Sequence, residues 1–279
     1  MERIPLGVSR LDRMMGGGAP SGSVVLLAGE TGAGAREFCY TSATVAALAL
    51  ADEERFDLYY GGLESGDVRL PASVHYVSFT DEEAAIRSEM RLAMDDDLVD
   101  AGAPAVEFRD LSPEYFKLTP VPTDWYAGRT TDIGDLGKRT DRRDVLEAFG
   151  DYLTEHAPGS LVVVDSVTDL LSLPDEELNW GDLTVLLKGL KRASSRWGGV
   201  VLLLVNADLL EPTQLGHLKE ATDGTLRFEW ESGGSERART LVVEQFRGVL
   251  SRFEDEDVVR FETEITDAGF DVSNVRKIR

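Results

Sequence analysis

A largely parallel α/β sheet covered by helices, with antiparallel strands added at one edge, is the fold this sequence predicts. Three observations predict it. Apolar runs rich in β-branched residues alternate with stretches of helical composition along most of the chain. The runs at 23–28 and 160–164 are apolar without interruption, as expected of strands buried on both faces. The end of the chain carries three strand-like runs, 225–230, 239–245 and 260–265, with no long helix between them.

The elements follow in order. A Gly-rich entry, Met14-Met15-Gly16-Gly17-Gly18, leads through Pro20-Ser21-Gly22 to the first strand at 23–28. After Gly29 to Gly34 the Ala- and Leu-rich stretch 35–50 predicts a helix. A strand at 74–79 and a helix at 82–94 come next. Residues 95–143, with Pro104, Pro113, Pro120 and Pro122, predict an elaborated loop or insertion holding one short strand at 105–108. Helix resumes at 144–156, followed by a strand at 160–164, a helix at 180–197 and a strand at 199–206. No internal repeat divides the chain, so residues 1–279 are expected to form one domain.

Composition narrows the functional classes. Hydrophobic residues make up 42% of the 279, enough for a proper core. The start, Met1-Glu2-Arg3-Ile4-Pro5, lacks the pattern of a secretory leader, and the apolar stretch at 45–51 is too short to span a bilayer, so a cytoplasmic, membrane-free protein is expected. Cys39 is the single cysteine, which excludes an internal disulfide. His75, His156 and His217 are scattered along the chain and predict no zinc site. With 29 basic and 51 acidic residues the net charge is −22, spread along the chain. Such a surface repels phosphate backbones and argues against direct binding of duplex DNA. The basic cluster Lys138-Arg139-Arg142-Arg143 is the exception, readable as a docking patch or as a solvated loop.

The chemistry-bearing motif is Gly29-Glu30-Thr31-Gly32-Ala33-Gly34-Ala35-Arg36, between the first strand and the first long helix. Glycines let successive backbone N–H groups converge on a phosphate, and the helix N-terminus adds its partial positive charge. A working phosphate loop then supplies Lys for the β- and γ-phosphates and Ser or Thr for Mg²⁺. Ala35 and Arg36 stand at those two positions. Arg36 keeps a positive charge one residue later, turned by about 100° on the helix, while nothing replaces the hydroxyl.

With these residues in place the sequence resembles the KaiC and RadA branch of the RecA superfamily of P-loop ATPases. Gly7-Val8-Ser9-Arg10-Leu11-Asp12 looks like the family's Gly-x-x-x-Leu-Asp opening, and Gly16-Gly17-Gly18-Ala19-Pro20-Ser21-Gly22 like its glycine run. Leu161-Val162-Val163-Val164-Asp165-Ser166 is similar to the Walker B strand, Thr222-Asp223-Gly224 to the Ala-Asp-Gly turn, and Phe246-Arg247-Gly248 to the Arg-Gly step. Residues 261–272 are similar to the closing strands. The resemblance implies a RecA-like P-loop fold, ATP in the loop at residues 29–36, and Asp165 as a Mg²⁺ ligand. It also implies an acid after the second core strand that polarises water, for which Asp81 is the candidate, since relatives carry two glutamates where Thr80 and Asp81 stand. Thr80-Asp81-Glu82-Glu83 reads equally as a helix N-cap with acids in its first turn. In ring-forming relatives a Lys and an Arg reach the neighbour's nucleotide; Gln245 replaces the first, and Arg247 remains for a homo-oligomer.

Three parts of the catalytic apparatus are therefore altered together, which points to a noncatalytic regulatory or scaffold protein with a protein partner. An ATPase using Arg36 and Asp165 in unusual roles is the alternative, and a RadA-paralogue-like accessory factor in recombination the second. The acidity itself points to a cytosol of high salt, where a Debye length of about 3 Å at 1 M removes self-repulsion. Chemical denaturation in increasing KCl tests this: stability is expected to rise toward molar salt, and equal stability at low and molar KCl overturns it.

Overall fold

The computed structural model describes residues 2–63, 67–117, 119–126, 143–171, 180–233, 236–249 and 258–277. The basic cluster at 138–142 lies outside the described residues.

The chain opens with a ribbon of β1 (Arg3–Ile4) and β2 (Ala19–Pro20), joined through helix α1 (Ser9–Met14). β3 (Ser23–Gly29) enters the main sheet and is followed by α2 (Ala35–Ala51) and α3 (Glu53–Tyr59). Next come β4 (Val74–Ser78), α4 (Glu83–Ala93), α5 (Asp96–Gly102), β5 (Val106–Asp110) and α6 (Ser112–Phe116). The chain continues through α7 (Arg143–His156), β6 (Leu161–Asp165), α8 (Val167–Leu171), α9 (Trp180–Trp197), β7 (Val200–Asn206) and α10 (Pro212–Ala221). It closes with β8 (Gly224–Gly233), β9 (Glu236–Phe246), β10 (Val258–Thr266) and β11 (Gly269–Lys277).

The main sheet has nine strands in the order β11-β10-β9-β8-β3-β7-β6-β4-β5. From β8 to β5 neighbours run parallel, and from β8 to β11 they run antiparallel. Strand alternation divides the core into two layers. Val25 and Leu27 of β3 face the layer built with α1 to α5, whereas Val24, Leu26 and Ala28 face the layer built with α7 to α10. Both faces are therefore covered, which is why β3 and β6 contain no exposed residue.

α2 lies so deep that every residue from Phe38 to Leu48 is buried. Its alanines allow other elements to approach closely. A Cβ on Gly102, at the end of α5, would sit 2.4 Å from the carbonyl oxygen of Thr44.

Two expectations change. The segment 95–143, expected to be a loop apart from a short strand at 105–108, begins with α5 and α6 on either side of that strand, which is β5, the edge strand paired in register with β4. Pro104 and Pro113 sit in the first turns of short helices, where the missing N–H costs nothing. The closing antiparallel edge has a fourth strand, β11, beyond the three predicted runs.

Asp12, from the Gly-x-x-x-Leu-Asp opening, is fully buried. Its carboxylate accepts the N–H groups of Leu6 (2.8 Å) and Gly7 (3.0 Å) and the hydroxyl of Tyr60 (3.0 Å), fastening the N-terminal segment to α3. Burial pushes this carboxyl up to about 7, against the pull of its donors. The folded chain thus keeps a proton that the unfolded chain loses near pH 4. This group's share of stability is full below pH 4 and is lost as pH rises to about 7. Asp12→Asn is expected to flatten stability against pH between 4 and 7. It also leaves a donor facing donors, at a cost of about 1–3 kcal/mol. Urea denaturation across that range checks both effects.

Candidate functional site

The predicted phosphate loop forms at the C-terminal end of β3, in the crevice where open α/β sheets bind ligands. Gly32 and Gly34 adopt φ of +75° and +105°, and Gly34 is the N-cap of α2, with no side-chain cap. A side chain at Gly34 would be strained there and would also press on the ring of Phe270, at 3.0 Å. Ala35 packs against Gly29, where a Cβ would come within 2.5 Å of the alanine methyl.

The loop is held from outside, mainly by its acceptors. Trp230 donates its indole N–H to the Thr31 carbonyl (3.0 Å) and its backbone N–H to the Glu30 carboxylate (2.9 Å). Arg239 donates to the Gly32 carbonyl (3.1 Å), and its guanidinium lies over the Trp230 ring. Trp230 and Arg239 are register partners on β8 and β9, so one cross-strand pair grips the loop. Inside the turn, the Ala33 N–H donates to the Glu30 carbonyl, and the Thr31 N–H donates to Asp208 (2.9 Å). Among the described residues, no hydrogen-bond partner meets the N–H groups of Gly32, Gly34, Ala35, Arg36 and Glu37. Among the described residues no side chain fills the nest. These amides border a cleft of about 280 Å³ that Arg36, Ser166 and Asn206 also line.

Asp165 ends β6, two strands from the loop, and is 3% exposed. One carboxylate oxygen accepts a bond from the Arg36 guanidinium at 3.0 Å, and the other accepts the Tyr76 hydroxyl at 2.7 Å. Burial raises the Asp165 carboxyl, while Arg36 and then Tyr76 oppose that rise. Burial works against the Arg36 charge, but attraction to Asp165, joined by smaller contributions from Tyr40 and Tyr76, holds the guanidinium protonated. Arg36 therefore brings a fixed cation to the Walker B carboxylate. Mg²⁺ asks for oxygen ligands in near-octahedral array. Here both oxygens of Asp165 already face donors, and the position of the hydroxyl ligand is the arginine itself. The residues present do not fit Mg²⁺.

Asp81 comes to the same end of the sheet. Its N–H donates to Ser78 Oγ (3.0 Å), and Ser78 is the register partner of Asp165. The expected cap over 80–83 is shifted: Glu82 is the N-cap of α4 and makes no side-chain cap bond. Sequence reasoning missed Asp169. It accepts the N–H (3.1 Å) and hydroxyl (3.0 Å) of Ser166, and burial raises its carboxyl, with a further push from Asp81. It also missed Tyr76, Asp208, Trp230 and Arg239, whose roles depend on strand register. Arg247 is elsewhere. It is 74% exposed and lies 3.9 Å from Asp223, which itself accepts the Val24 N–H at the opposite end of β3.

A double-mutant cycle on Arg36→Gln and Asp165→Asn measures the internal pair. Arg36→Gln leaves a buried carboxylate without its cation. The expected loss is about 1–3 kcal/mol, below the range for fully buried pairs because the Arg36 side chain is 44% exposed. Asp165→Asn is expected to relieve part of that loss, and strict additivity in urea denaturation would show that the pair carries no coupling.

No protein-family model matches the chain, and no curated protein matches it in sequence. Solved structures do match in shape. The flagellar accessory protein FlaH from Methanocaldococcus jannaschii is 16% identical, with a TM-score of 0.60 over 98% of this chain and 99% of that one. A KaiC-like protein from Pyrococcus horikoshii is 17% identical, with a TM-score of 0.63 over 98% and 99%. The chain therefore has the RecA-like, KaiC-type α/β fold that its motifs resemble.

Proposed function

We propose that this chain is a noncatalytic RecA/KaiC-like protein, a regulator or scaffold that engages nucleotide weakly and does not hydrolyse it. The observation that carries this reading is the Arg36–Asp165–Tyr76 arrangement, in which both oxygens of the Walker B carboxylate are occupied by donors of the chain itself. Hydrolysis in P-loop proteins depends on a lysine and a metal that neutralise developing charge on the phosphates. Ala35 removes the first, and the internal cation takes the place of the second. The reading includes a protein partner and assembly with further copies, in which the exposed Arg247 would face a neighbour. FlaH is named an accessory protein, which accords with a partner-directed role.

A second reading is ATP binding without metal. It is favoured by the unpartnered N–H groups of the loop and by Arg36 lining the same cleft. Those amides and that guanidinium suit a phosphate, and Mg²⁺ would bring no added affinity.

Calorimetric titration of ATP with and without Mg²⁺, paired with phosphate-release assays in high salt, tests both readings. The expected outcome is no turnover, with whatever binding occurs indifferent to Mg²⁺. In Ala35→Lys with Arg36→Thr, which restores both side chains of the loop, Mg²⁺-dependent binding is expected to appear. Turnover by the native chain that disappears in Asp165→Ala overturns the noncatalytic reading.

A further inference from the structure

Two of the three histidines that stand far apart in sequence meet in the fold. His75 is in β4, and Glu107 is its register partner on the neighbouring β5. Tyr152 and His156 are four residues apart in the last turns of α7, on one helical face. That face packs over the two strands. The Tyr152 and His156 rings lie 4.4 Å apart, and those of His75 and His156 lie 5.2 Å apart. One ligand atom each from His75, Glu107 and His156 falls within 4.8 Å of the others.

From this convergence we propose a transition-metal site formed by His75, His156 and Glu107, taking Zn²⁺ or a similar divalent ion of borderline softness. Two imidazoles and one carboxylate are a recurrent zinc donor set. In a tetrahedral site with bonds of about 2.0–2.1 Å, donor atoms stand about 3.4 Å apart. His75 Nδ1 and the Glu107 carboxylate are 3.7 Å apart, so this pair needs little adjustment. His156 must close by more, and it is half-buried in the last turn of its helix.

The other nitrogen of His75 is already tied down. Nε2 lies 2.7 Å from Ser73 Oγ, which lies 2.9 Å from Ser160 Oγ, and Ser160 donates to the carbonyl of Pro158 (3.4 Å). That relay ends in an acceptor, so it suits Nε2 as the protonated nitrogen and leaves the Nδ1 lone pair for a metal. Outer partners of this kind fix the tautomer and orientation of metal-bound histidines. Tyr152 is 2.9 Å from the same Nδ1 and occupies the place a metal would take, so it must yield on binding. Arg109, the neighbouring cation, is bonded to Glu114 (2.9 Å) and turned to that partner. Glu155 lies 3.8 Å from His156 and adds negative charge.

The cluster is separate from the loop. His75 pairs with Val162, three residues before Asp165 on β6, which separates the two sites by about 10 Å along the strands. Asp165 sits at the C-terminal ends of the parallel strands, and the cluster lies toward their N-terminal ends. Such a metal would clamp α7 to the edge of the sheet.

Titration of the full chain with Co²⁺, followed by visible absorption and competed with Zn²⁺, tests the site. Excess Mg²⁺ and molar KCl should be present, so that acidic surface groups do not compete for the probe. The expected result is one Co²⁺ per chain with nitrogen-ligand absorption, displaced by Zn²⁺, and a raised melting temperature with Zn²⁺. His156→Gln and Glu107→Gln lie toward the surface and are expected to fold, which circular dichroism checks. Each should weaken binding by at least the ~10–100-fold that even outer-shell partners carry. Tyr152→Phe removes the competing hydroxyl and should bind at least as tightly as the native chain. Absence of saturable binding at micromolar Co²⁺, or unchanged affinity in either glutamine variant, overturns the proposal.

Discussion

A carboxylate at the end of a buried strand must be neutralised, and in this chain one guanidinium does it. Asp165 is sealed between the two helical layers, where an uncompensated charge costs several kcal/mol. In a metal-dependent site the compensation arrives with the ligand, so the empty state is electrostatically unfinished. Arg36 removes that condition. Reaching back from the first turn of α2, it makes the crevice self-sufficient and ties the loop helix to the Walker B strand. Tyr76, from the next strand over, closes the second oxygen and fixes the direction of the first. Both oxygens of Asp165 are thus met by groups of the chain itself.

The same division between shape and chemistry runs through the loop. Its geometry is enforced from the acceptor side, because Trp230 and Arg239 bind carbonyls and the Glu30 side chain. Apart from Glu30, Thr31 and Ala33, its N–H groups meet no partner among the described residues and border the cleft. Phosphate is therefore not required to hold the turn. Glycines at positive φ keep the turn tight, and β8 and β9 supply the grip.

The sheet was legible in the sequence because burial on both faces leaves uninterrupted apolar runs, as in 161–164 and 200–205. The loop was legible for a similar reason, since a strand followed by closely spaced glycines and a helix is written in consecutive residues. Of residues 95–117 only the short strand at 105–108 was legible, and the helices that flank it were not. Their prolines signal a loop when counted, although Pro104 and Pro113 start short helices that flank an edge strand. Half of β5 faces solvent, so its pattern lacks the apolar run that marked the other strands. The partners of Asp165 were hidden for a different reason. Tyr76 joins it only because β4 pairs with β6 at a particular register, and the charge of Arg36 could be read as a phosphate contact as readily as an internal one. The gathering of His75, Glu107 and His156 likewise depends on register and on where α7 docks, and neither is encoded locally.

The position of the cation constrains what this crevice can do. An arginine directed only at incoming phosphate would leave Asp165 to find another counter-charge, and among the described residues its other direct partner is the neutral Tyr76 hydroxyl. An arginine committed to Asp165 can still present its outer edge to the cleft, since nearly half of its side chain is exposed. One guanidinium thus satisfies the buried acid and shapes the electrostatics of the nest, but it cannot also travel with a transferring phosphoryl group without uncovering Asp165. Chemistry at this site would have to break the contact that stabilises it. Binding would not.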